Sequence, residues 1–394
     1  MKQKIKLMNW RTIRKVLLAV CVCTCSLSLF AQQGTAERLP RCEPKEVGLD
    51  PAKLAQIDAA VEKYMTGKEL SGCVVCVGRQ GKIALLKAYG DKKVDMVFDL
   101  ASVGKPMATA TSIMLLAERG KLKIDDPVAL YLKEFDTPEK KEITIRHLLL
   151  HVGGFPQGPG GPYDDPVDFM ERVLAQKPQS KPGEKFLYSC SSYIMLGKIV
   201  ERISGQDLNE FTRKNIYRPL GMYDTGYIRD EIVPDENYRK RISPVPGSRP
   251  GQVNDFQARA QGGVGGNGAI FSTADDMAVF AEMMLEKGKL PNRPRLMNAE
   301  TVELMTTPNP VPSAPAGLRG LGWTMQIEQD NHRPKKMSPA AYGHGGWTGI
   351  AFWMEPKYDL FFIFLSTLPG RVPYPLASQI GDIVIDAIAV HVAR

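Results

Sequence analysis

Strand-like apolar runs lie near both ends of this chain, and mainly helical sequence separates them. Near the start, GCVVCVG and IALLKAYG flank the short segment RQGK and predict a β-hairpin. Near the end, three more apolar runs are joined by turn-like segments and followed by an amphipathic stretch that predicts a closing helix. One sheet built from distant parts of the chain, with a helical insertion, fits this order. The pattern predicts an α/β (α+β) fold.

Ser102 and Lys105 stand three positions apart, where an apolar helix is predicted to begin and to end at Gly120. The preceding FDLAS indicates strand or loop, so the serine hydroxyl meets the positive end of the helix dipole. Pro106 falls in the first turn, where it is harmless. A desolvated lysine there has a lowered pKa and accepts the serine proton. On the residues alone, extension of the Lys105 amine to solvent is an equal alternative.

Five ordered segments extend this motif into a resemblance. They begin FDLASVGKPMATATSIMLLAERG and continue with PGEKFLYSCSSYIMLGKIVERISGQ, PLGMYDTGY, GNGAIFSTADDMAVF and YGHGGWTGIAFWMEP. Residues 45–394 resemble the serine β-lactamase and penicillin-binding superfamily. The similarity is to its class C-like branch, with family VIII-type esterases, D-aminopeptidases and lovastatin-type acyltransferases. The resemblance implies a β-lactamase/transpeptidase-like antiparallel sheet flanked by helices, with an inserted α-helical subdomain and the active site between them.

The resemblance also implies roles for particular residues. Ser102 matches the nucleophile, Lys105 its proton-accepting partner, and Tyr188 the tyrosine that assists proton transfer. Whether Lys105 or Tyr188 is the first base stays open. The backbone N–H groups of Ser102 and Trp347 would form the oxyanion hole. His344 begins the segment HGG, which occupies the strand where the family has lysine-threonine-glycine. A hydrogen bond from His344 to Tyr188 is expected.

The remaining candidates line the expected cleft. The glycines after His344 would let the substrate backbone approach closely, and polar residues on neighbouring loops would contact the substrate. The substrate-binding candidates are His344, Gly345, Gly346, Cys190, Asn254 and Asn267. Two of them depart from the family pattern, because Cys190 replaces an asparagine and His344 a lysine that recognise penicillins. Efficient β-lactam hydrolysis is therefore not expected, and Cys190 is disfavoured as an alternative nucleophile.

The first 31 residues resemble an export signal. Six basic residues lie within the first fifteen positions, an apolar run follows, and no acid is present before the expected cleavage after Ala31. The rest carries 45 basic and 43 acidic residues, which excludes a nucleic-acid footprint. We expect an exported, periplasmic or secreted protein without a stable membrane span once the signal is removed. An uncleaved anchor and a lipoprotein are the less favoured alternatives.

The predicted organisation is a single catalytic domain behind this signal. Residues 32–44 form a polar lead-in, and 45–394 form the β-lactamase-like domain. Within it, the sheet part takes 45–125 and 275–394, and the helical part takes 126–274.

Other motifs are interpreted as structural. Cys73 and Cys76 lie in a predicted strand, so their side chains point to opposite faces and share neither a metal nor a disulfide. A disulfide of Cys42 stays open. Gly263, Gly265 and Gly268 match a dinucleotide fingerprint without the apolar strand it requires, and His147 and His151 lack a third metal ligand. We expect no cofactor and no metal.

The sequence thus predicts a serine enzyme that forms an acyl-enzyme on Ser102 from a small-molecule ester or amide. Hydrolysis of a small ester is the leading prediction. Transfer to an alcohol acceptor, a hydroxylated small molecule, is second, and cleavage of D-amino-acid peptides is third. A sensor that is acylated without turnover is the alternative of another class.

Overall fold

The computed structural model describes residues 38–228, 235–313, 315–327, 332–370 and 373–389. The expected export signal at 1–31 lies outside this part. The described residues fall in one compact unit that begins at Arg38. No helix among them is long and apolar enough to cross a membrane.

An eight-stranded antiparallel sheet forms the centre of this unit. Its strands lie in the order β2-β1-β11-β10-β9-β8-β7-β6, so the predicted hairpin near the start pairs directly with the last strand. The strands are β1 Gly72–Arg79, β2 Lys82–Gly90, β6 Asn309–Val311, β7 Gly317–Arg319, β8 Thr324–Gln326, β9 Tyr342–Gly346, β10 Ile350–Glu355 and β11 Leu360–Leu365. The predicted hairpin and the sheet of distant segments are both confirmed.

Helices surround the sheet. They are α1 Pro51–Leu54, α2 Gln56–Thr66, α3 Thr111–Glu118, α4 Ile145–Leu149, α5 Pro166–Ala175, α6 Cys190–Ser204, α7 Leu208–Thr212, α8 Glu236–Arg241, α9 Phe256–Ala260, α10 Ala274–Leu285, α11 Ala299–Thr306 and α12 Tyr374–Asp386. One face of the sheet packs against α2 and the closing helix α12, and the other against α10. Because β1, β10 and β11 are buried on both faces, their sequences are continuous apolar runs rather than alternating ones.

The two strand cysteines show this division directly. Cys73 belongs to the core that contains α2 and α12, whereas Cys76 belongs to the core that contains α10. Both thiols are buried and free, which confirms their interpretation as core residues on opposite faces. Cys42 is also free in this structure.

A second, three-stranded sheet places the serine turn. It joins β3 Phe98–Asp99, β4 Gly226–Tyr227 and β5 Ile270–Ser272 in the order β3-β5-β4. The Leu100 N–H continues this pairing by donating to the Ile270 carbonyl at 2.9 Å. The chain therefore enters the Ser102 turn from a sheet that connects three distant segments.

Candidate active site

Ser102 lies in a tight turn rather than at the start of an α-helix. Ala101–Val103 form a 3₁₀ turn, Lys105–Ala110 a π-helical segment, and only Thr111–Glu118 (α3) is α-helical. Pro106 has no N–H to donate, and the Thr111 hydroxyl donates to its carbonyl at 2.8 Å across the widened turn. The predicted helical segment is therefore present from the serine turn to Glu118, near the expected Gly120, but its first turns are 3₁₀ and π-helical rather than α-helical. Segments of this wide type often mark functional sites.

Backbone strain accompanies this turn. Ala101 has a φ of 46°, in the left-handed region that a non-glycine residue rarely adopts. The Ala101 N–H donates to Asp99 Oδ1 at 2.9 Å, and the second carboxylate oxygen accepts the Asn254 N–H at 2.7 Å. Such strain persists only where its surroundings enforce it. Here the buried Asp99 carboxylate holds the residue that precedes Ser102.

Lys105 is completely buried, and its amine points at the serine. Its Nζ donates to Ser102 Oγ at 3.0 Å and to the Asn267 carbonyl at 2.7 Å, and it lies 3.5 Å from Cys190 Sγ. The amine also lies 5.0 Å from the centre of the Tyr188 ring. The alternative in which Lys105 extends to solvent is wrong, because the side chain has no exposed surface.

The charge state of Lys105 differs from the expectation. Burial by itself lowers the pKa of this amine, but negative charge on Cys190, Tyr188 and Asp255 outweighs burial, and the net pKa is raised. Burial also raises the pKa of the Cys190 thiol, so this thiol is neutral at neutral pH and the Asp255 carboxylate supplies nearby negative charge. The predicted loss of the Lys105 proton by desolvation is thus corrected. An ammonium with three donors suits the oxygens around it.

Tyr188 stands beside Lys105 and stacks on a buried histidine. The Lys105 amine lies 5.0 Å from the centre of the Tyr188 ring, and the His151 and Tyr188 ring centres are 4.5 Å apart. His151 Nδ1 accepts the Ser189 N–H at 3.1 Å, which ties His151 to the residue after Tyr188. Burial and the nearby positive charges of Arg319 and Lys105 lower the pKa of His151, so the ring is neutral. His151 thus positions Tyr188.

The HGG segment at the end of β9 lies at the other side of the serine turn. The Thr348 hydroxyl donates to the Asp99 carbonyl at 2.6 Å, which ties the loop after β9 to the strand before Ser102. A Cβ on Gly346 would lie 2.5 Å from the Leu100 carbonyl oxygen, so only glycine permits this approach. Trp347 is 55% exposed at the same place. These contacts hold the loop that carries Trp347 against the strand that leads into the Ser102 turn.

His344 makes a different contact from the expected one. Its Nδ1 lies 2.7 Å from the Gly345 carbonyl oxygen, and its Nε2 has no partner among the described residues. The His344 and Tyr188 ring centres are 6.2 Å apart, so the expected hydrogen bond to Tyr188 is not formed. Burial and the charges of Arg319 and Lys105 lower the pKa of His344, which leaves a neutral imidazole. Gly345 faces away from the serine turn, against His332.

The other predicted contact residues divide into buried and accessible ones. Asn267 is buried, and its side chain hydrogen-bonds Gln261 and Asp255 while its carbonyl accepts from Lys105. Cys190 is also buried, at the start of α6. Both therefore contact Lys105. Asn254 is partly exposed, and its backbone binds Asp99.

Sequence reasoning missed Arg319 on β7. This side chain is 1% exposed, and Nε and Nη2 have no partner among the described residues, whereas Nη1 donates to Thr324 Oγ1 at 3.0 Å. The guanidinium stacks 5.6 Å from the Phe186 ring and lies close enough to lower the pKa of both His151 and His344. No local motif marks it, because its position depends on the pairing of β7 with β8, which in turn pairs with β9. It adds a buried positive charge beside the site.

The motifs interpreted as structural have clear positions. His147 Nδ1 accepts the Thr144 N–H at 3.1 Å in a cap of α4, and His151 lies beyond the end of that helix with a φ of 59°. The two histidines thus do not form a helical ligand pair. The glycine loop 263–268 packs its backbone against Tyr193 and the serine turn. Within the described ranges, no His, Cys, Asp or Glu cluster suited to a metal lies at this site.

A half-buried serine contacted by a buried lysine, a neighbouring tyrosine and an antiparallel sheet are features of the penicillin-recognising fold, whose members are serine hydrolases and acyltransferases. The Beta-lactamase family model matches residues 57–380, and the chain belongs to this family. A protein of Escherichia coli strain K12 named "Putative D-alanyl-D-alanine carboxypeptidase" is 30% identical over 399 residues, 89% of this chain and 90% of the relative.

Solved structures share the fold. A family VIII carboxylesterase superimposes with a TM-score of 0.67 at 18% identity and covers 86% of this chain and 99% of its own. Simvastatin synthase from Aspergillus terreus gives a TM-score of 0.67 at 20% identity, with 84% of this chain and 98% of its own covered. The predicted fold class and family resemblance are confirmed.

Proposed function

We propose that this protein is a serine hydrolase that forms an acyl-enzyme on Ser102 and releases the acyl group to water, with a small ester as substrate. One observation carries the proposal: the Lys105 amine donates to the Ser102 hydroxyl oxygen at 3.0 Å from a fully buried position. This contact orients one lone pair of Oγ and leaves the serine proton to point elsewhere.

In the proposed first step, Ser102 Oγ bonds to the substrate carbonyl carbon as its proton moves to the Tyr188 oxygen, which must enter this step as the phenolate. Lys105 retains its proton because its pKa is raised, so the neighbouring Tyr188, whose ring centre lies 5.0 Å from the amine, is assigned as the proton acceptor. The resulting oxyanion binds the N–H groups of Ser102 and Trp347. The proton on Tyr188 then passes to the leaving alcohol as its bond to carbon breaks. This order assigns Tyr188 as first base.

Deacylation reverses the same proton path. A water molecule gives a proton to Tyr188 and bonds to the acyl carbon, and Ser102 leaves with that proton. An alcohol in place of water would give acyl transfer by identical steps, so the acceptor decides between hydrolase and acyltransferase. A sensor would stop before this stage.

The experiment follows intact mass after addition of an activated acyl ester. Wild type is expected to gain one acyl group and to return to its native mass as the ester is consumed, whereas Ser102→Ala gains none. Cys190→Ala is the matched control and should still gain the acyl group and lose it again. The wild-type Cys190 thiol has a raised pKa and remains protonated, so it is not expected to act as the nucleophile. If Ser102→Ala forms an adduct and the double variant Ser102→Ala/Cys190→Ala does not, the nucleophile is Cys190. A persistent adduct on wild type would favour the sensor.

Cleavage of peptides that end in D-alanine is the second candidate. Two observations favour it: the name of the Escherichia coli relative and the partly unpaired, buried guanidinium of Arg319 beside His344. A buried cation with free N–H groups suits a substrate carboxylate. Peptides with a free C-terminus should then be cleaved at least tenfold faster than their amides, and Arg319→Met should remove this preference while ester hydrolysis persists. Equal rates on both peptides would exclude this candidate.

We also propose that the protein is exported and that its mature chain begins at Gln32. N-terminal sequencing of protein recovered from the periplasm or medium tests this. A retained Met1 in that material would favour an uncleaved anchor.

A further inference from the structure

Three carboxylates meet at the end of the sheet opposite Ser102. Glu282 lies in the last turn of α10, Glu286 directly follows that helix, and Asp359 stands in the turn between β10 and β11. One oxygen from each carboxylate lies within 4.8 Å of the others. Oxygens bound to one Ca²⁺ ion at 2.3–2.6 Å are separated by no more than about this distance. The spacing therefore suits a shared cation.

A second observation distinguishes this cluster from an ordinary acidic surface. Glu282 is only 2% exposed, and its Oε2 has no hydrogen-bond partner among the described residues. A buried carboxylate without a partner is costly. The charges that act most strongly on it are those of Asp359 and Glu286, which are also negative.

The surrounding backbone adds further negative potential and closes the site. The α10 helix ends beside Glu286, so its C-terminal carbonyls place the negative end of the dipole there. The β1–β2 turn covers Glu282, since a Cβ on Gly81 would lie 3.4 Å from Oε1. The Gln80 N–H donates to the Asp359 carbonyl at 3.1 Å, which joins this turn to the one before β11. Three elements thus converge on one buried oxygen.

We propose that Glu282, Glu286 and Asp359 bind a divalent cation of the Ca²⁺ class that joins the end of α10 to the β1–β2 and β10–β11 turns. All three ligands are hard oxygen donors, the type that Ca²⁺ prefers over softer metals. The six residues of β10 separate this end of the sheet from the β9–β10 end beside Ser102, a span of about 17 Å. The cation would stabilise the fold and take no part in acyl transfer.

Thermal unfolding of the purified, EDTA-treated protein with added CaCl₂ tests the proposal. A ligand at one hundred times its Kd is expected to raise the Tm of wild type by roughly 3 °C. Glu282→Gln removes this rise, and isothermal titration calorimetry then shows no Ca²⁺ binding. Glu300→Gln, which changes an exposed acid outside the cluster, keeps both responses. Ester hydrolysis by Glu282→Gln without Ca²⁺ stays within about twofold of wild type, which separates this test from that of Ser102.

Glu286→Gln, at an exposed position, provides a second variant if Glu282→Gln does not fold. It should weaken Ca²⁺ binding at least tenfold. An unchanged Tm of wild type up to 10 mM CaCl₂ (about ten times the weakest Kd of extracellular Ca²⁺ modules) would overturn the proposal. An equal Ca²⁺ response in Glu282→Gln would do so as well. If CaCl₂ leaves the Tm of wild type unchanged, higher stability at acidic pH would show that Glu282 instead keeps a proton.

Discussion

The Asp99 carboxylate accepts the backbone N–H of Asn254 at 2.7 Å, across 155 positions of sequence. Its other oxygen holds the strained Ala101 next to the serine. One buried side chain therefore couples a loop of the helical region to the turn that carries Ser102. Burial raises the pKa of Asp99 to about 6, so the carboxylate is ionised at neutral pH and accepts both hydrogen bonds.

Asp99→Asn is expected to weaken both the fold and the reaction. An amide offers one oxygen, so either Ala101 or Asn254 loses its acceptor, at a cost of about 1–3 kcal/mol. Urea unfolding measures this loss, and kcat/KM for an activated ester should fall at least tenfold. Asp164→Asn, at an exposed position, is the control and should change neither. Unchanged activity in Asp99→Asn would show that Ala101 does not need this carboxylate.

Gly268→Ala is expected to displace the serine turn. A Cβ at this position would lie 2.7 Å from the Ala101 carbonyl oxygen, a distance that requires backbone movement. The added methyl should cost about 1–3 kcal/mol of stability and lower kcat more than KM. Gly226→Ala serves as the control, since its Cβ would meet no atom within 4 Å. Matching kinetics for the two variants would contradict the inferred rigidity of the turn.

Tyr188→Phe is expected to retain the fold and lose the proton acceptor. Its kcat/KM for an activated ester should fall by about 10²–10⁴, the usual contribution of general acid–base catalysis. Tyr223→Phe, which changes an exposed phenol, should behave as wild type. Stopped-flow acylation separates the first step from deacylation. A loss confined to deacylation would return the role of first base to Lys105.

Asp276 gives the stability of the protein a defined pH dependence. Burial raises the pKa of this carboxyl to about 7 from the ordinary aspartate value of 3.8. The folded state therefore binds the proton more tightly than the unfolded chain. Its stabilising contribution is complete below about 3.8 and is lost as the pH rises through about 7.

Asp276→Asn should remove this part of the pH dependence. Thr225 Oγ1 and the Asp224 N–H both donate to the same Asp276 oxygen, so an amide oxygen can replace it. Urea unfolding between pH 4 and 7 is expected to give a shallower fall in stability than wild type shows. An equal slope in both proteins would mean that Asp276 is ionised in the folded state throughout.

The sequence by itself determined the strands, the position of the serine and the family. β1, β2, β10 and β11 were predictable because continuous apolar runs bounded by turn residues report burial locally. The Ser102 motif was visible because its residues are three positions apart. The helix beyond it was only partly predictable, since a proline changes the hydrogen bonds of the first turns.

Only the tertiary structure decided the charges and the supporting contacts. The pKa of Lys105 depends on Cys190, Tyr188 and Asp255, each more than 80 positions away in sequence. The buried, partly unpaired guanidinium of Arg319 and the buried, unpaired carboxylate oxygen of Glu282 likewise result from neighbours on other elements. Electrostatic energy depends on distance and burial in space, and neither quantity is contained in sequence spacing.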